Sequence, residues 1–258
     1  MGNVHPTAIV HPEARLHPSV EVGPYAVIGP KVKIGAGTKV GPHAVIDADT
    51  TLGERNRIFQ FAAVGGTPQD LKYAGEDTRL VVGNDNLVRE FTTLHIGTEG
   101  GGGVTRIGNN NLFMANSHVA HDCVVGNGCI LANSVALAGH VELGDHVTLG
   151  GLTAVHQFTR IGAYAFTAGG SMVVMDVPPY CMVQGDRAVL AGLNTVGLSR
   201  HGYTDEQLSR IKDAYKILFR SKLGLSEALD RVKAMHGGQA EVDALLSFVT
   251  SSKRGLTR

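Results

Sequence analysis

The sequence predicts a mainly β fold, a long solenoid of stacked parallel strands closed by an α-helical segment, and three observations predict it. Branched aliphatics stand at Val4, Val10, Leu16, Val22, Ile28, Ile34, Val40, Ile46, Leu52, Ile58 and Val64, each six residues after the last. Glycine follows the aliphatic at Gly23, Gly29, Gly35, Gly41, Gly53 and Gly65, and small residues recur four places on, at Ala8, Ala14, Ala26, Ala44 and Ala62. From Thr204 the spacing becomes helical, with Leu208, Ile211, Tyr215, Leu218 and Phe219 on one face.

A six-residue period fits neither regular element alone. On a helix the aliphatics would walk around the surface, and a single strand alternates every two residues. A short strand followed by a turn, three times per coil, uses the period naturally: the aliphatic points into a narrow prism and the glycine makes the corner. Repeats of this kind stack into a solenoid.

The period breaks over GGTPQDLKYAGEDTR and resumes in phase at Val82, Val88 and Leu94. A second break from His95 to Arg106, containing Gly100 to Gly103, shifts the register by one before Ile107, Phe113, Val119 and their successors continue to Ile161. Loops are therefore expected near 66–80 and 96–106. Long excursions from a regular repeat tend to carry function, and the first holds Gln69, Asp70 and Lys72. The glycine run lacks the lysine and the strand-to-helix setting of a phosphate loop. The repeat fades after Val173 and Pro178-Pro179 closes it, so a β-helical domain over 1–190 and a helical domain over 191–258 are expected. In the second, Thr204 and Gln207 form a capping box, and shorter helices are expected around Ser226 to Met235 and Val242 to Val249.

Composition narrows the partners. Lysine plus arginine equals aspartate plus glutamate at 23 each, so no global field draws in nucleic acid or a membrane surface. No apolar run has membrane length. The first ten residues have neither the basic start nor the apolar core of a signal peptide, and Pro6 spoils a myristoylation signal, which points to the cytoplasm. Glycine is abundant at 34 and tryptophan absent, as suits many tight turns around a slim core. Cys123, Cys129 and Cys181 read as reduced packing residues. The tail collects Arg200, Arg210, Lys212, Lys216, Arg220 and Lys222, either a solvated helix face or a docking patch for an acidic protein.

The chemistry gathers around His118-Val119-Ala120-His121-Asp122. Eighteen residues on from Val119 lie Leu137 and then Val155, each followed closely by polar groups: His121 and Asp122, then His140, then His156 and Gln157. With eighteen residues per coil these stack at one corner, on coils about 4.8 Å apart. The same count sets Gly139 beside His121. His121 is then a general base, Asp122 its orienting carboxylate, and Gly139 an oxyanion donor through its backbone N–H. No serine, cysteine or lysine is placed as a nucleophile, so direct attack by a substrate hydroxyl is the simpler scheme. Zinc held by the histidines is the alternative. Four other histidines, His5, His11, His17 and His43, fall at turn positions that face solvent.

The segments QDLKYAGE, AHDC, GNGCILAN, AGHV, GGLTAVHQF and DVPPY, between the repeat and the helical tail, resemble the cytoplasmic UDP-N-acetylglucosamine O-acyltransferases of lipid A biosynthesis. The hexapeptide pattern alone resembles the left-handed parallel β-helix of the hexapeptide acyltransferases. The resemblance implies transfer of an (R)-3-hydroxyacyl group from acyl carrier protein to the 3-hydroxyl of UDP-N-acetylglucosamine, by a homotrimer with sites between subunits and with no cofactor or metal. It assigns catalysis to His121, Asp122 and Gly139, and substrate binding to Gln69, Asp70, Lys72, His118, His140, His156, Gln157, Asn194 and Arg200. Gly169 falls where acyl length is limited, and its missing side chain implies a chain of around fourteen carbons. Val196 and His201 depart from the family pattern, which loosens the nucleotide assignment. The alternatives are the later N-acyltransferase of the pathway, which carries an extra N-terminal domain, a zinc-dependent hydratase resembling carbonic anhydrase, and a non-enzymatic scaffold.

Overall fold

The computed structural model describes residues 3–258; Met1 and Gly2, which begin the stretch read for a signal peptide or myristoylation, lie outside them. The chain winds into a three-sided prism whose faces are sheets of eleven, nine and eight strands, beginning at Asn3–Val4, Ile9–Val10 and Arg15–Leu16 respectively. Strands meet in parallel, coil on coil, except that Val189–Leu193 pairs antiparallel with Cys181–Gln184 and closes the first face.

The six-residue column is the interior. Val22, Ile28, Ile34 and every later aliphatic of the pattern through Ile161 are buried, whereas Val4, at the open end of the prism, is 40% exposed. Burying a side chain of this kind stabilises by roughly 1.5–3 kcal/mol. The small residues four places on form a second interior column at Ala26, Ala44 and Ala62. Three buried asparagines form a ladder: Asn56 Oδ1 accepts from the backbone N–H of Asn86, Asn86 Oδ1 from Asn111, and Asn111 Oδ1 from Cys129, at 2.7–2.9 Å. The three cysteines are free and buried, and burial pushes the Cys123 and Cys129 thiols up to about 12.

Glycine serves the corners through close approach. A Cβ on Gly35 would stand 2.7 Å from the carbonyl carbon of Gly53 on the next coil. The left-handed residue lies two places later and is mostly not glycine, as at Tyr25, His43, Arg55 and Asp122. The outward-facing histidines behave as expected, His5, His11, His17 and His43 all being exposed. His43 stacks in an aromatic column between Tyr25 and Phe61, with ring centroids about 5 Å apart.

Both expected excursions occur. Val64 pairs with Leu94, thirty residues on, and Leu94 with Val119, twenty-five on, where an uninterrupted coil takes eighteen. Each leaves the prism between a strand of the second face and a strand of the third, the first between Ala63–Gly66 and Arg79–Val82, the second between Thr93–His95 and Val104–Ile107. They therefore stack at one corner on consecutive coils, and the next coil places His121 and Asp122 at that corner.

Four helices follow the coils, α1 (Thr195–Arg200), α2 (Asp205–Phe219), α3 (Leu225–His236) and α4 (Ala240–Ser251). The Thr204–Gln207 capping box opens α2, which buries Ile211, Tyr215 and Leu218. Among the described residues no helix is long and apolar enough to cross a membrane. The basic residues of the tail divide. Arg210 bridges Glu206 and the buried Glu241, and Arg220 donates to Tyr215 Oη and the Leu190 carbonyl. Arg200, Lys212, Lys216 and Lys222 stay exposed without an ion pair among the described residues.

Candidate active site

The corner is organised around a buried carboxylate. Asp122 sits in the left-handed region (φ 58°), its side chain fully buried and its backbone N–H donated to Thr105 Oγ1 at 2.8 Å. Its Oδ1 accepts the Thr98 N–H at 2.9 Å, and its Oδ2 accepts the Thr98 hydroxyl at 2.6 Å and His121 Nδ1 at 2.8 Å. Three donors thus converge on one buried carboxylate. A carboxylate only accepts, so Nδ1 of His121 carries the proton and Nε2 is left with its lone pair.

Thr98 belongs to the second excursion, whose role the sequence did not disclose. The glycine run wraps the carboxylate: a Cβ on Gly101 would fall 2.0 Å from Asp122 Cγ, and one on Gly97 2.8 Å from Oδ1. The loop thus supplies both Thr98 bonds because its backbone can approach unhindered. A signal did exist in the sequence, since the break begins one coil before His121 and at the same place in the coil.

Gly139 lies across from His121 as the count by eighteen places it. An added Cβ would meet the ring at 2.5 Å from Cε1 and 2.7 Å from Nε2. No acceptor among the described residues takes the Gly139 N–H, although the flanking Ala138 and His140 amides are both bonded to carbonyls. His140 stacks over Asp122 rather than over His121: its Nε2 is 3.8 Å from Asp122 Oδ2, and its ring meets His121 edge-on at 5.2 Å and Phe158 face-on at 4.3 Å. Burial lowers its basicity, partly offset by Asp122, and the loop residue Asp70 is near enough to add to that offset. His156 and Gln157 stand one coil further along the same corner, exposed.

Beside the corner, on the second face, His118 bonds Thr93 Oγ1 at 2.7 Å and meets His95 edge-on at 4.8 Å. His95 was not singled out from sequence. It is buried with Nδ1 unpartnered, and burial, with the neighbouring His118 and His121, depresses it to about 4. Burial lowers His118 as well.

The remaining candidates make no hydrogen bond to His121 or Asp122. Gln69, Asp70 and Lys72 are on the first excursion, where Asp70 Oδ1 accepts the Lys72 N–H at 3.0 Å. Gly169 is exposed at the opposite edge of the second face, stacked on Gly151. Asn194 caps α1, accepting from Gly197 N–H and donating to the Tyr164 carbonyl, and Arg200 ends that helix. His201 packs on His146 and Tyr164, at a third corner, and Val196 is exposed. Within one chain, Asn194 and Arg200 are thus not brought to His121.

His121, Asp122 and His140 also form a trio of potential metal ligands, with donor atoms within 4.8 Å of one another. Nδ1 of His121 and both oxygens of Asp122 already take part in hydrogen bonds.

The acyl-[acyl-carrier-protein]--UDP-N-acetylglucosamine O-acyltransferase of Myxococcus xanthus (strain DK1622) is 67% identical over all 258 residues, covering both chains completely. The chain belongs to the UDP-N-acetylglucosamine O-acyltransferase family. The family description "Udp N-acetylglucosamine O-acyltransferase; Domain 2" matches residues 176–257, and the bacterial transferase hexapeptide description matches 13–48 and 105–139. The O-acyltransferase of Anaeromyxobacter sp. (strain Fw109-5) is 58% identical over 99% of each chain. Among solved structures, the UDP-N-acetylglucosamine O-acyltransferase of Moraxella catarrhalis RH4 superposes with a TM-score of 0.96 at 44% identity, covering 99% of this chain and 100% of that one. The UDP-N-acetylglucosamine acyltransferase of Campylobacter jejuni gives 0.94 at 38% identity over 98% of each. The fold is accordingly the left-handed parallel β-helix with a C-terminal α-helical domain.

Proposed function

We propose that this O-acyltransferase family member transfers an (R)-3-hydroxyacyl group from acyl carrier protein to the 3-hydroxyl of UDP-N-acetylglucosamine, the first step of lipid A biosynthesis, in the cytoplasm. The observation that carries the mechanism is the His121 Nδ1 to Asp122 Oδ2 bond at 2.8 Å beside an unbonded Gly139 N–H. His121 Nε2 takes the proton of the sugar 3-hydroxyl as its oxygen attacks the thioester carbonyl. The Gly139 N–H donates to the oxyanion of the tetrahedral intermediate. Collapse forms the ester and breaks the C–S bond, and the departing thiolate receives the proton from Nε2. Asp122, held by Thr98, stabilises the imidazolium between these steps.

His118, His140, His156, Gln157 and the loop residues Gln69, Asp70 and Lys72 surround this corner and bind the sugar nucleotide or the acyl chain. Asn194 and Arg200 complete the site from a neighbouring subunit of a trimer, whose flat prism faces would set the α1 corner of one copy against the His121 corner of the next. Leu71 at the loop tip, an apolar side chain fully in solvent, supports such a contact. The coils over 1–190 act as the catalytic platform and 191–258 as the domain that closes it. Gly169 leaves room for a chain of around fourteen carbons. The test is to offer 3-hydroxyacyl carrier proteins of ten, twelve and fourteen carbons with UDP-N-acetylglucosamine and to locate the acyl group in the product. A 3-O-ester is expected, and acylation only of a free sugar amine would instead assign the later N-acyl transfer.

A further inference from the structure

The last residues of the chain return to the prism. Asp176 N–H donates to the Gly255 carbonyl at 2.9 Å, and Thr257 N–H to the Asp176 carbonyl at 2.8 Å. Asp176 pairs with Leu256 in parallel as Ile161 pairs with Val177, so the tail adds a rung to the open edge of the third face. The rung is latched from inside. Asp176, 1% exposed, accepts the Arg160 N–H at Oδ1 and the Ser252 hydroxyl at Oδ2, and Thr257 is buried.

This rung delivers Arg254 to the active-site corner. Its Nε donates to the Val174 carbonyl at 2.6 Å, and its Nη2 lies 2.8 Å from His156 Nδ1, across 98 residues of sequence. Arg254, Asp122, His140 and Phe158 line one groove of about 860 Å3. A guanidinium has donors and no acceptor, so at this contact Nδ1 of His156 must be the acceptor and the ring proton must sit on Nε2. The Gln157 carbonyl, 3.1 Å from the same Nδ1, would favour the opposite tautomer, and the shorter, charge-assisted contact prevails.

We infer that Arg254 is a positioning residue which, from the C-terminal tail, fixes His156 as an Nε2–H donor to an acceptor oxygen of one of the two substrates. The inference rests on the proposed role of His156 in substrate binding. Without Arg254 the Gln157 carbonyl captures Nδ1–H, and Nε2 turns from donor to acceptor.

Two readouts test it. Long-range proton–nitrogen NMR of histidine-labelled protein reports the His156 tautomer directly and does not depend on which reaction is catalysed. Wild type should show Nε2–H, and Arg254→Met should shift toward Nδ1–H. In steady-state kinetics with each substrate varied in turn, Arg254→Met should raise one KM about tenfold, the size of a lost charge-assisted hydrogen bond, with kcat within about twofold. The varied substrate that responds identifies the oxygen's owner. In a His156→Ala background the same change should add nothing. Ser252→Ala, which removes one hydroxyl bond to Asp176 but keeps the Gly255 and Thr257 backbone bonds that hold the rung, should leave both tautomer and KM in place. A wild-type Nδ1–H tautomer, an Arg254→Met spectrum like wild type, effects that multiply in the double variant, or an equal loss in Ser252→Ala would overturn the inference. Absence of acyl transfer would refute the proposed function while the spectra still decide the role of Arg254.

Discussion

Replacing Gly139 by alanine separates the base from the scaffold. Gly139 is not in the left-handed region, so alanine is conformationally allowed, and reduced freedom of the unfolded chain should hold or raise stability by about 0.4–1 kcal/mol. The added carbon, however, would stand 2.5 Å from Cε1 and 2.7 Å from Nε2 of His121. Ordinary contact needs about 1 Å more, and the ring, its side chain 14% exposed, can move only outward. A 1 Å displacement of a reacting group costs about 10²-fold, and losing the base altogether costs about 10²- to 10⁴-fold. The expected result is therefore a kcat lower by at least about 10²-fold, with a midpoint of thermal unfolding unchanged or slightly higher. Transfer rates paired with melting curves on the same preparation check this. Activity within a few-fold of wild type would show that the ring position does not limit the chemistry, and a large fall in stability would show that Gly139 serves packing.

Three further outcomes are expected. Thr98→Val removes the hydroxyl bond to Asp122 Oδ2 but keeps the N–H bond to Oδ1, so kcat should fall about tenfold and stability by about 1–3 kcal/mol, read by kinetics and denaturant titration. His95, depressed to about 4 from 6.5, is protonated first in the unfolded chain, so its contribution is intact above pH 6.5 and is lost as pH falls toward 4. Unfolding of wild type against His95→Phe across that window should diverge by up to about 3 kcal/mol, wild type losing stability more steeply on acidification. Gly169→Met, at an exposed site with only Gly151 backbone atoms nearby, should move donor preference from fourteen carbons toward ten without loss of stability, as competition between the two carrier-bound chains would measure.

Periodicity made the core legible because one strand residue in six points into the narrow prism and is apolar on coil after coil from Val22 to Ile161, and the same regularity carried the count from His121 to Gly139. The capping box and the buried face of α2 were legible for the same reason, being local patterns. The phase of the repeat carried the place where each excursion leaves the coil, but not what the loop reaches. That the second places Thr98 on Asp122 depends on the loop's path beyond the coil. The glycines of that loop matter through atoms they lack, so they looked featureless. Arg254 and His156 meet across 98 residues through a tail outside the repeat, which no spacing rule reaches. The basic tail illustrates the converse: six charges close in sequence fit either a solvated helix face or a docking patch, yet Arg210 and Arg220 are tied up inside the helical domain. Asn194 and Arg200 sit away from His121 within one chain, so the resemblance, and not the coil count, is what joins them to the site.

The most direct measurement is kcat/KM for acyl transfer by metal-stripped wild type beside His121→Ala, with folding checked by circular dichroism. General-base catalysis at this corner predicts full activity in the stripped wild type and a loss of about 10²- to 10⁴-fold in the folded variant. A variant within a few-fold of wild type, or a wild type that loses activity on stripping and regains it with zinc, would contradict it.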